Sequence, residues 1–368
     1  MTAAGDHLSS LDAFRGLAIA GMILVNNPGN WNAVPESLTH ANWDGCTLAD
    51  VVFPFFIFIV GVALPFAFAR RIGRGQERGA LYGRIVRRTI ILTVLGIVLN
   101  AAASWPDLAA TRIPGVLQRI AIVYLAASLL MLHASAAWRA VLAFALFVAH
   151  WAILTLVPFG GHGAIVTHDV NLAAYLDRIV FGTHMLTPVG DPEGLLGTLP
   201  AIGTALVGTL AGEWMRTAID ERRRVAGLVF GGMTALVAGL AWATVWPLNK
   251  PLWSGSYALF TAGLAAITFA ACYMLIDVER TRAWAKPLVW LGVNPLAIYF
   301  ASELVRNVID REIGGAAAIK VRVFWDMIGP ALDRFGAEWA SFAFALLTLG
   351  VWTAVAGLLH WRGIRLRV

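Results

Sequence analysis

Charged side chains are scarce in this chain. Asp, Glu, Lys and Arg together make up 14% of its 368 residues, whereas hydrophobic residues make up 59% and the mean hydropathy is +0.72. Soluble globular domains carry about 25% charged residues. The shortage of charge is not typical of a soluble fold, and it indicates a protein that is embedded in a membrane.

Cysteine is scarce as well, with only Cys46 and Cys272 in the whole chain. Two isolated cysteines do not make a disulfide framework, so a small disulfide-stapled scaffold is not expected. The N-terminal residues also lack a basic segment and a small-residue cleavage site before the first apolar run. A cleavable signal peptide is therefore not expected.

Long apolar runs fill most of the chain. A helix that crosses a hydrocarbon core about 30 Å thick needs about 20 residues, and ten runs come close to that length. They lie near residues 11–27, 49–69, 84–104, 115–132, 136–157, 195–215, 225–246, 256–276, 285–302 and 339–360. The sequence predicts an all-α, polytopic membrane protein with about ten transmembrane helices, built as a single domain over residues 1–368.

Basic residues are unevenly distributed between the connections. Arginines crowd residues 70–88, 216–224, 280–286 and 362–367, whereas residues 28–48 contain no Lys or Arg. Because basic residues concentrate on the cytoplasmic side, we expect both termini in the cytoplasm and residues 28–48 on the outer face. The net charge of +6 is mostly this cytoplasmic excess, so nucleic-acid binding is not expected.

The outer stretch 40–54 reads HANWDGCTLADVVFP and opens the second apolar run. Thr47 and Asp50 have the spacing of a helix capping box, so Asp50 is either a cap or a catalytic group, and the sequence leaves both open. His40 has no such local role. Asn26 ends the first apolar run, so Asn26, His40 and Asp50 are predicted to converge at membrane depth, where polar groups are commonly functional.

Other polar residues on the outer side are candidates for binding an acceptor. They are Asp44, His184, Asp191 and Glu193. Asp44 also suits a turn before Gly45. Asp191 and Glu193 would hold a cationic amino group by charge-assisted hydrogen bonds, or Asp191 would cap a helix with proline at its first position. No metal site is predicted.

Arginines near the cytoplasmic ends of the helices are candidates for binding phosphate groups. Arg84, Arg87 and Arg88 share one face of the third helix, and Arg15 lies in the first. They act either as topology signals or as a phosphate-binding cluster. In the fourth helix, Gln118 and Arg119 lie in an apolar run, where a guanidinium group must be paired or must snorkel to the interface.

Five ordered segments of the chain resemble those of one known family. They read SLDAFRGLAIAGMILVNNPG, HANWDGCTLADVVFPFFIFIVGVAL, RIPGVLQRIAIVY, DPEGLLGTLPAIGTALVGTLAGEW and LGVNPLAIY. They are similar to segments of the heparan-α-glucosaminide N-acetyltransferase family and its bacterial relatives, from about residue 9 to the last helix. The resemblance implies a multi-pass enzyme that moves acetyl from cytosolic acetyl-CoA to an amino sugar across the membrane.

The resemblance also implies roles for particular residues. The essential histidine of the family matches His40, its membrane-embedded asparagine matches Asn26, and the aspartate of its ADLVFP-like segment matches Asp50. His40 would act as a general base or would itself accept the acetyl group. Acetyl-CoA is the expected co-substrate, with contacts from Arg15, Arg84, Arg87, Arg88, Gln118 and Arg119.

The remaining expectations concern partners, location and competing functions. The partners would be a small amino-sugar or saccharide acceptor and membrane lipid, and the sequence leaves a homodimer open. Abundant alanine and the excess of arginine over lysine indicate a GC-rich bacterial genome, and the expected location is therefore a bacterial inner membrane. One alternative is an O-acyltransferase of the acyltransferase-3 type, which shares an LDxxRG opening but usually has histidine near position 26. The other is a transporter without catalysis.

Overall fold

The structure, a computed structural model, describes residues 8–73, 75, 78–311, 320 and 336–366. Regular structure within these ranges is helical, accompanied by two isolated β-bridges that join Phe159 to His162 and Val166 to Asn171. The prediction of an all-α protein is confirmed.

Twelve α-helices are found in the described residues. Three short segments, Glu36–Leu38, Leu108–Ala110 and the π-helical Met274–Val278, accompany them. The helices are α1 (Ser9–Asn26), α2 (Leu48–Ile72), α3 (Arg78–Ser104), α4 (Val116–His133), α5 (Ala136–Leu156), α6 (Leu172–Phe181), α7 (Leu195–Met215), α8 (Glu221–Ala243), α9 (Gly255–Tyr273), α10 (Lys286–Val293), α11 (Pro295–Ile309) and α12 (Ala337–Trp361).

Eight of the described helices are long and apolar enough to cross a membrane. The number rises to nine if α10 and α11, which are bent by 84° at Asn294, form one span. The prediction of a multi-pass membrane protein is confirmed, although the ten predicted spans become eight or nine. The predicted span 11–27 coincides with α1, which carries Asp12 and Arg15 and is not among the candidates.

Helix α1 lies inside the bundle, and this position explains its polar residues. It contacts α2, α9, α10, α11 and α12, and more than half of its residues are buried. A helix surrounded by other helices does not need a continuous apolar surface, because its polar groups find partners within the protein. Asp12 and Arg15 are paired with each other at 2.9 Å.

The bundle is held together by close backbone contacts between small residues. At the crossing of α2 and α7, a Cβ atom on Gly61 would lie 2.0 Å from the carbonyl oxygen of Ala205, and one on Gly208 would lie 2.2 Å from that of Phe58. Small residues are typical of such interfaces in membranes, because they let two helix backbones approach closely. This contact fixes α7 beside α2, which begins at the predicted catalytic loop.

The two ends of the bundle differ in charge. At one end, here called the basic end, Arg15 interacts electrostatically with Arg70 and Arg88. The other end, here called the histidine end, carries the loop that contains His40, the loop between α8 and α9, and the segment between α5 and α7. Helix α6 lies within this last segment, between the apolar runs 136–157 and 195–215. Asp177 of α6 accepts a hydrogen bond from the Leu195 amide at 2.9 Å and so holds the first turn of α7.

Candidate active site

The Asp50 carboxylate has two separate sets of partners. Its Oδ2 accepts hydrogen bonds from the Thr47 amide (3.1 Å), the Thr47 hydroxyl (3.1 Å) and the Ala41 amide (3.0 Å). Its Oδ1 lies 2.8 Å from Nδ1 of His40. The predicted capping box is therefore confirmed, and the same buried carboxylate also binds the imidazole.

Lys250 joins His40 and Asp50. Its Nζ lies 2.9 Å from Nδ1 and 3.2 Å from Nε2 of His40, and 3.3 Å from Oδ1 of Asp50. These three side chains are called the His40 cluster below. Sequence reasoning missed Lys250, although it is one of only three lysines and the single basic residue between Thr244 and Ser254.

Exposure differs strongly within the His40 cluster. About half of the His40 side chain is exposed (49%), whereas that of Asp50 is buried (1%) and that of Lys250 is largely covered (15%). Burial lowers the pKa of Lys250, although the carboxylates of Asp50 and Glu193 act in the opposite direction. Burial, followed by the Asp50 charge, raises the pKa of the nearby Cys46 thiol to about 12. The accessible imidazole of His40 thus contacts the largely buried ion pair of Asp50 and Lys250.

The loop that carries Lys250 is fixed by its own hydrogen bonds. Asn249 is buried; its Oδ1 accepts from the Leu252 amide at 2.8 Å, and its Nδ2 donates to Oδ1 of Asp44 at 3.2 Å. The Gly45 amide also donates to the Leu248 carbonyl at 2.7 Å. Asp44, predicted to bind an acceptor, here joins the His40 loop to the Lys250 loop.

Buried aromatic residues underlie the His40 cluster. Trp253 is fully buried, and its backbone has left-handed geometry (φ 54°). Its ring is nearly perpendicular to the rings of Phe53 and Tyr257, and its Nε1 donates to the Thr204 hydroxyl at 3.2 Å. Such geometry in a bulky residue persists only where the surroundings enforce it. The Tyr257 hydroxyl donates to the backbone carbonyl of Asp50 at 2.6 Å.

Arg119 lies beneath this aromatic layer. Its guanidinium group is 5.2 Å from the centre of the Trp253 ring, and Nη2 donates to the Gly194 carbonyl at 3.0 Å. Several buried polar atoms near Arg119 have no hydrogen-bond partner among the described residues. They are Nε and Nη1 of Arg119 itself, both ring nitrogens of His150, and Oε1 of Gln118. Gln118 donates to the Ile113 carbonyl at 3.1 Å. This part of the bundle interior therefore contains polar atoms that lack hydrogen-bond partners, which is rare for buried groups.

The other predicted acceptor residues gather around Arg112. Its Nε and Nη2 lie 2.8 and 2.5 Å from the two carboxylate oxygens of Asp191, and Nη2 also contacts Glu193. Burial lowers the pKa of Arg112, but the carboxylates of Glu193 and Asp191 outweigh it and raise this pKa above its usual value. His184 Nδ1 lies 2.9 Å from the Thr111 carbonyl. Helix α7 begins at Leu195 with Gly194 as its cap, so the prediction that Asp191 caps it is wrong.

Asn26 has a different neighbour from the one the sequence suggested. Its Nδ2 donates to Oε1 of Glu303 on α11 at 2.8 Å, and Oε2 of Glu303 accepts from Arg306 at 2.7 and 3.0 Å. His40 and Asp50 meet as expected, whereas the hydrogen bond of Asn26 leads to α11.

Several of the predicted phosphate-binding arginines meet at the basic end. Arg15 interacts electrostatically with Arg88 and Arg70, Arg71 interacts with Arg84 and Arg88, and the Arg88 guanidinium lies 4.6 Å from the centre of the Tyr124 ring. These residues are called the basic cluster: Arg15, Arg70, Arg71, Arg84 and Arg88. Arg87 is exposed on the same helix as Arg84 and Arg88.

One surface depression lies away from both clusters. It has a volume of about 730 Å³ and is lined by Arg222, Val225, Ala226, Val229, Phe230, Met233 and Met274. Its lining comes from α8 and the π-helical segment and is almost entirely apolar. Among the described residues, no group of His, Cys, Asp and Glu is arranged to hold a metal ion.

Fold and site together define a multi-pass membrane protein with ionisable clusters at both ends of its helical bundle. Residues 8–244 match the family model described as heparan-alpha-glucosaminide N-acetyltransferase, catalytic. The chain belongs to this family, as its sequence segments indicated.

Two animal proteins named heparan-alpha-glucosaminide N-acetyltransferase are similar to the chain. The Mus musculus protein is 28% identical over 367 residues, which cover 82% of this chain and 54% of that protein. The Homo sapiens protein is 28% identical over 372 residues, which cover 83% and 54%. The chain thus spans about half the length of these relatives.

Proposed function

We propose that this protein is a transmembrane N-acetyltransferase. It would take the acetyl group from cytosolic acetyl-CoA and deliver it to an amino sugar on the outer side of a bacterial inner membrane. The observation that carries this proposal is the His40–Asp50 contact of 2.8 Å at the histidine end of the bundle. Family membership supports acyl transfer as the type of reaction.

The proposed orientation puts the basic end and both termini in the cytoplasm. It rests on the arginine-rich connections at that end and on the absence of Lys and Arg from residues 28–48. A reporter fused after Arg74, which lies outside the described residues, is expected to read as cytoplasmic. An external reading would reverse the orientation.

The basic cluster is suited to the phosphate groups of acetyl-CoA. Guanidinium groups bind phosphate through paired, charge-assisted hydrogen bonds. Arg15 and Asn26 are eleven residues apart on α1, which corresponds to about 17 Å at a helical rise of 1.5 Å per residue. The acyl-pantetheine arm would therefore cross much less than the full hydrocarbon core of about 30 Å.

His40 would carry the chemistry at the histidine end. With Asp50 accepting a hydrogen bond from Nδ1, Nε2 presents a lone pair. In direct transfer, the acceptor amine attacks the thioester carbonyl, its proton passes to Nε2, and the C–S bond breaks to release CoA, which takes up that proton. In a two-step route, Nε2 first attacks the thioester carbonyl, and the C–S bond breaks to release CoA as a thiolate. The amine then attacks the acetyl-imidazole, the imidazole of His40 leaves, and the proton released by the amine passes to the thiolate.

Glu193 is the strongest of the four acceptor candidates. Asp44, His184 and Asp191 are engaged in hydrogen bonds that hold loops together. The Glu193 carboxylate contacts Arg112, and its charge also acts on Lys250. A carboxylate there would attract the ammonium group of an amino sugar. If Glu193→Gln leaves the KM for the acceptor unchanged, Glu193 does not bind the acceptor and only pairs with Arg112.

The test is acetyl transfer by the purified, reconstituted protein. CoA release from acetyl-CoA would be measured with glucosamine, with a sugar that carries only hydroxyl groups, and with no acceptor. Release that depends on the amino sugar supports the proposal. Release with the hydroxyl sugar alone would favour the O-acyltransferase, and no release with any of a panel of amino sugars would leave a transporter.

A further inference from the structure

We propose that Lys250 is a catalytic residue of the same site, whose ammonium group stabilises the negative charge that develops on the acetyl carbonyl oxygen during transfer beside His40. This inference rests on the proposed function and adds a residue to its machinery. Lys250 lies beyond residues 8–244, the part of the chain matched by the family model.

The position of the ammonium group carries the argument. Nζ lies 2.9 and 3.2 Å from the two imidazole nitrogens of His40, closer than its 3.3 Å distance from Oδ1 of Asp50. The ammonium group therefore lies beside Nε2 as well as beside the Asp50 carboxylate. A carbonyl carbon that is attacked near Nε2 therefore has its oxygen within reach of a fixed positive charge.

The Asp50 carboxylate already has hydrogen-bond or ionic partners at both of its oxygens. Oδ2 of Asp50 already accepts three hydrogen bonds from Ala41 and Thr47. Oδ1 is shared between His40 and Lys250. The ammonium group has three hydrogens, and after one bond to Oδ1 it can still donate to a substrate oxygen.

The Lys250 backbone is more constrained than an ordinary loop requires. The Trp253 amide donates to the Lys250 carbonyl at 2.9 Å, and the Ser254 amide donates to the Asn249 carbonyl at 2.9 Å. Trp253 takes up its left-handed geometry at the end of this turn. Charge stabilisation is most effective when the donor is fixed in advance, because no reorganisation is then needed during the reaction.

The chemical step balances without a further reactant. A nucleophile, either the acceptor amine or Nε2 of His40, forms a bond to the thioester carbon, and the carbonyl electron pair moves to oxygen. Lys250 donates a hydrogen bond to that oxygen and keeps its proton. When the carbonyl re-forms, the C–S bond breaks and CoA leaves as a thiolate, which takes up the proton released by the amine.

The test compares Lys250→Met, Lys250→Arg and the matched control Lys286→Met, an exposed lysine at the start of α10. For Lys250→Met we expect kcat to fall by about 10²–10³, the usual cost of losing one oxyanion donor, with the KM for acetyl-CoA unchanged. Lys250→Arg should recover part of the rate, and Lys286→Met should behave as wild type.

A second arm separates catalysis from simple neutralisation of Asp50. Lys250→Met is also introduced into Asp50→Asn, where the charge of Asp50 no longer has to be balanced. Catalysis predicts a further large loss of kcat in this background. If the double variant has the same kcat as Asp50→Asn, Lys250 is only a counter-ion. If Lys250→Met by itself keeps the wild-type kcat, this inference is overturned while the proposed function stands. A wild-type protein without acetyl transfer would overturn the proposed function and this inference together.

Discussion

The side-chain amide of Asn26 donates a hydrogen bond to Oε1 of Glu303 over 2.8 Å. These residues lie on α1 and α11, 277 positions apart in the sequence. Glu303 is also bound through its other oxygen by Arg306 at 2.7 Å. The amide of Asn26 therefore joins a helix in the bundle interior to a carboxylate that already has a cationic partner.

For Asn26, we expect substitution by alanine to affect mainly catalysis and substitution by aspartate to affect stability as well. Asn26→Ala should reduce kcat more than it weakens acetyl-CoA binding, and it should fold, because Glu303 keeps Arg306. Asn26→Asp would add a second carboxylate beside Glu303, so its thermal unfolding midpoint in detergent should fall below that of Asn26→Ala. Equal midpoints for these two variants would mean that the Glu303 contact is energetically unimportant.

For His40, the expected result is loss of turnover without loss of the fold. His40→Ala at saturating donor and acceptor should be slowed by about 10²-fold or more, the contribution typical of a general base. Acetyl-CoA binding should persist, since the basic cluster is at the other end of the bundle. His162→Ala, an exposed loop histidine, is the control. More than about a tenth of the wild-type rate in His40→Ala would exclude His40 as the catalytic residue.

For the basic cluster, the double variant Arg84→Gln with Arg88→Gln should bind acetyl-CoA more weakly. Loss of two charge-assisted contacts should raise Kd by about tenfold or more, and the salt dependence of binding should decrease. Binding would be measured by titration of detergent-purified protein. Arg362→Gln, an exposed arginine after α12, should leave Kd unchanged. An unchanged Kd in the double variant would mean that these arginines only determine topology.

For Arg112, the expected effect is on stability. Arg112→Met would leave the buried Asp191 carboxylate without its cation, a change that costs about 3–5 kcal/mol when one partner of a buried pair is removed. Glu193→Gln removes only one of the two carboxylates and should cost less. Thermal unfolding of both variants in detergent would test this order. A smaller loss for Arg112→Met than for Glu193→Gln would contradict it.

For Cys46, we expect slow alkylation. The thiolate is the reactive form, and a pKa of about 12 leaves about a thousandfold less thiolate at pH 8 than an ordinary cysteine has. In a Cys272→Ser background, the iodoacetamide rate should rise about tenfold per pH unit from pH 7 to 10 without a plateau. A plateau near pH 9 would show that Cys46 is not shielded by burial and Asp50.

The apolar runs alone determined the fold class. In hydrocarbon, backbone groups must be satisfied within the same segment, so a long apolar run has few alternatives to a helix. The start of α2 was equally local, because the capping box joins Thr47 and Asp50 only three positions apart. The His40–Asp50 contact was also predictable, because these residues are only ten positions apart in the sequence.

Only the tertiary structure decided the other partners. Lys250 reaches His40 across 210 positions, and Arg112 reaches Asp191 across 79. Neither contact has a local signal, because each depends on how helices pack and which loops then meet. The same cause accounts for α1: its sequence is too polar for a lipid-facing span, and only its place among five neighbouring helices gives Asp12, Arg15 and Asn26 a protein environment.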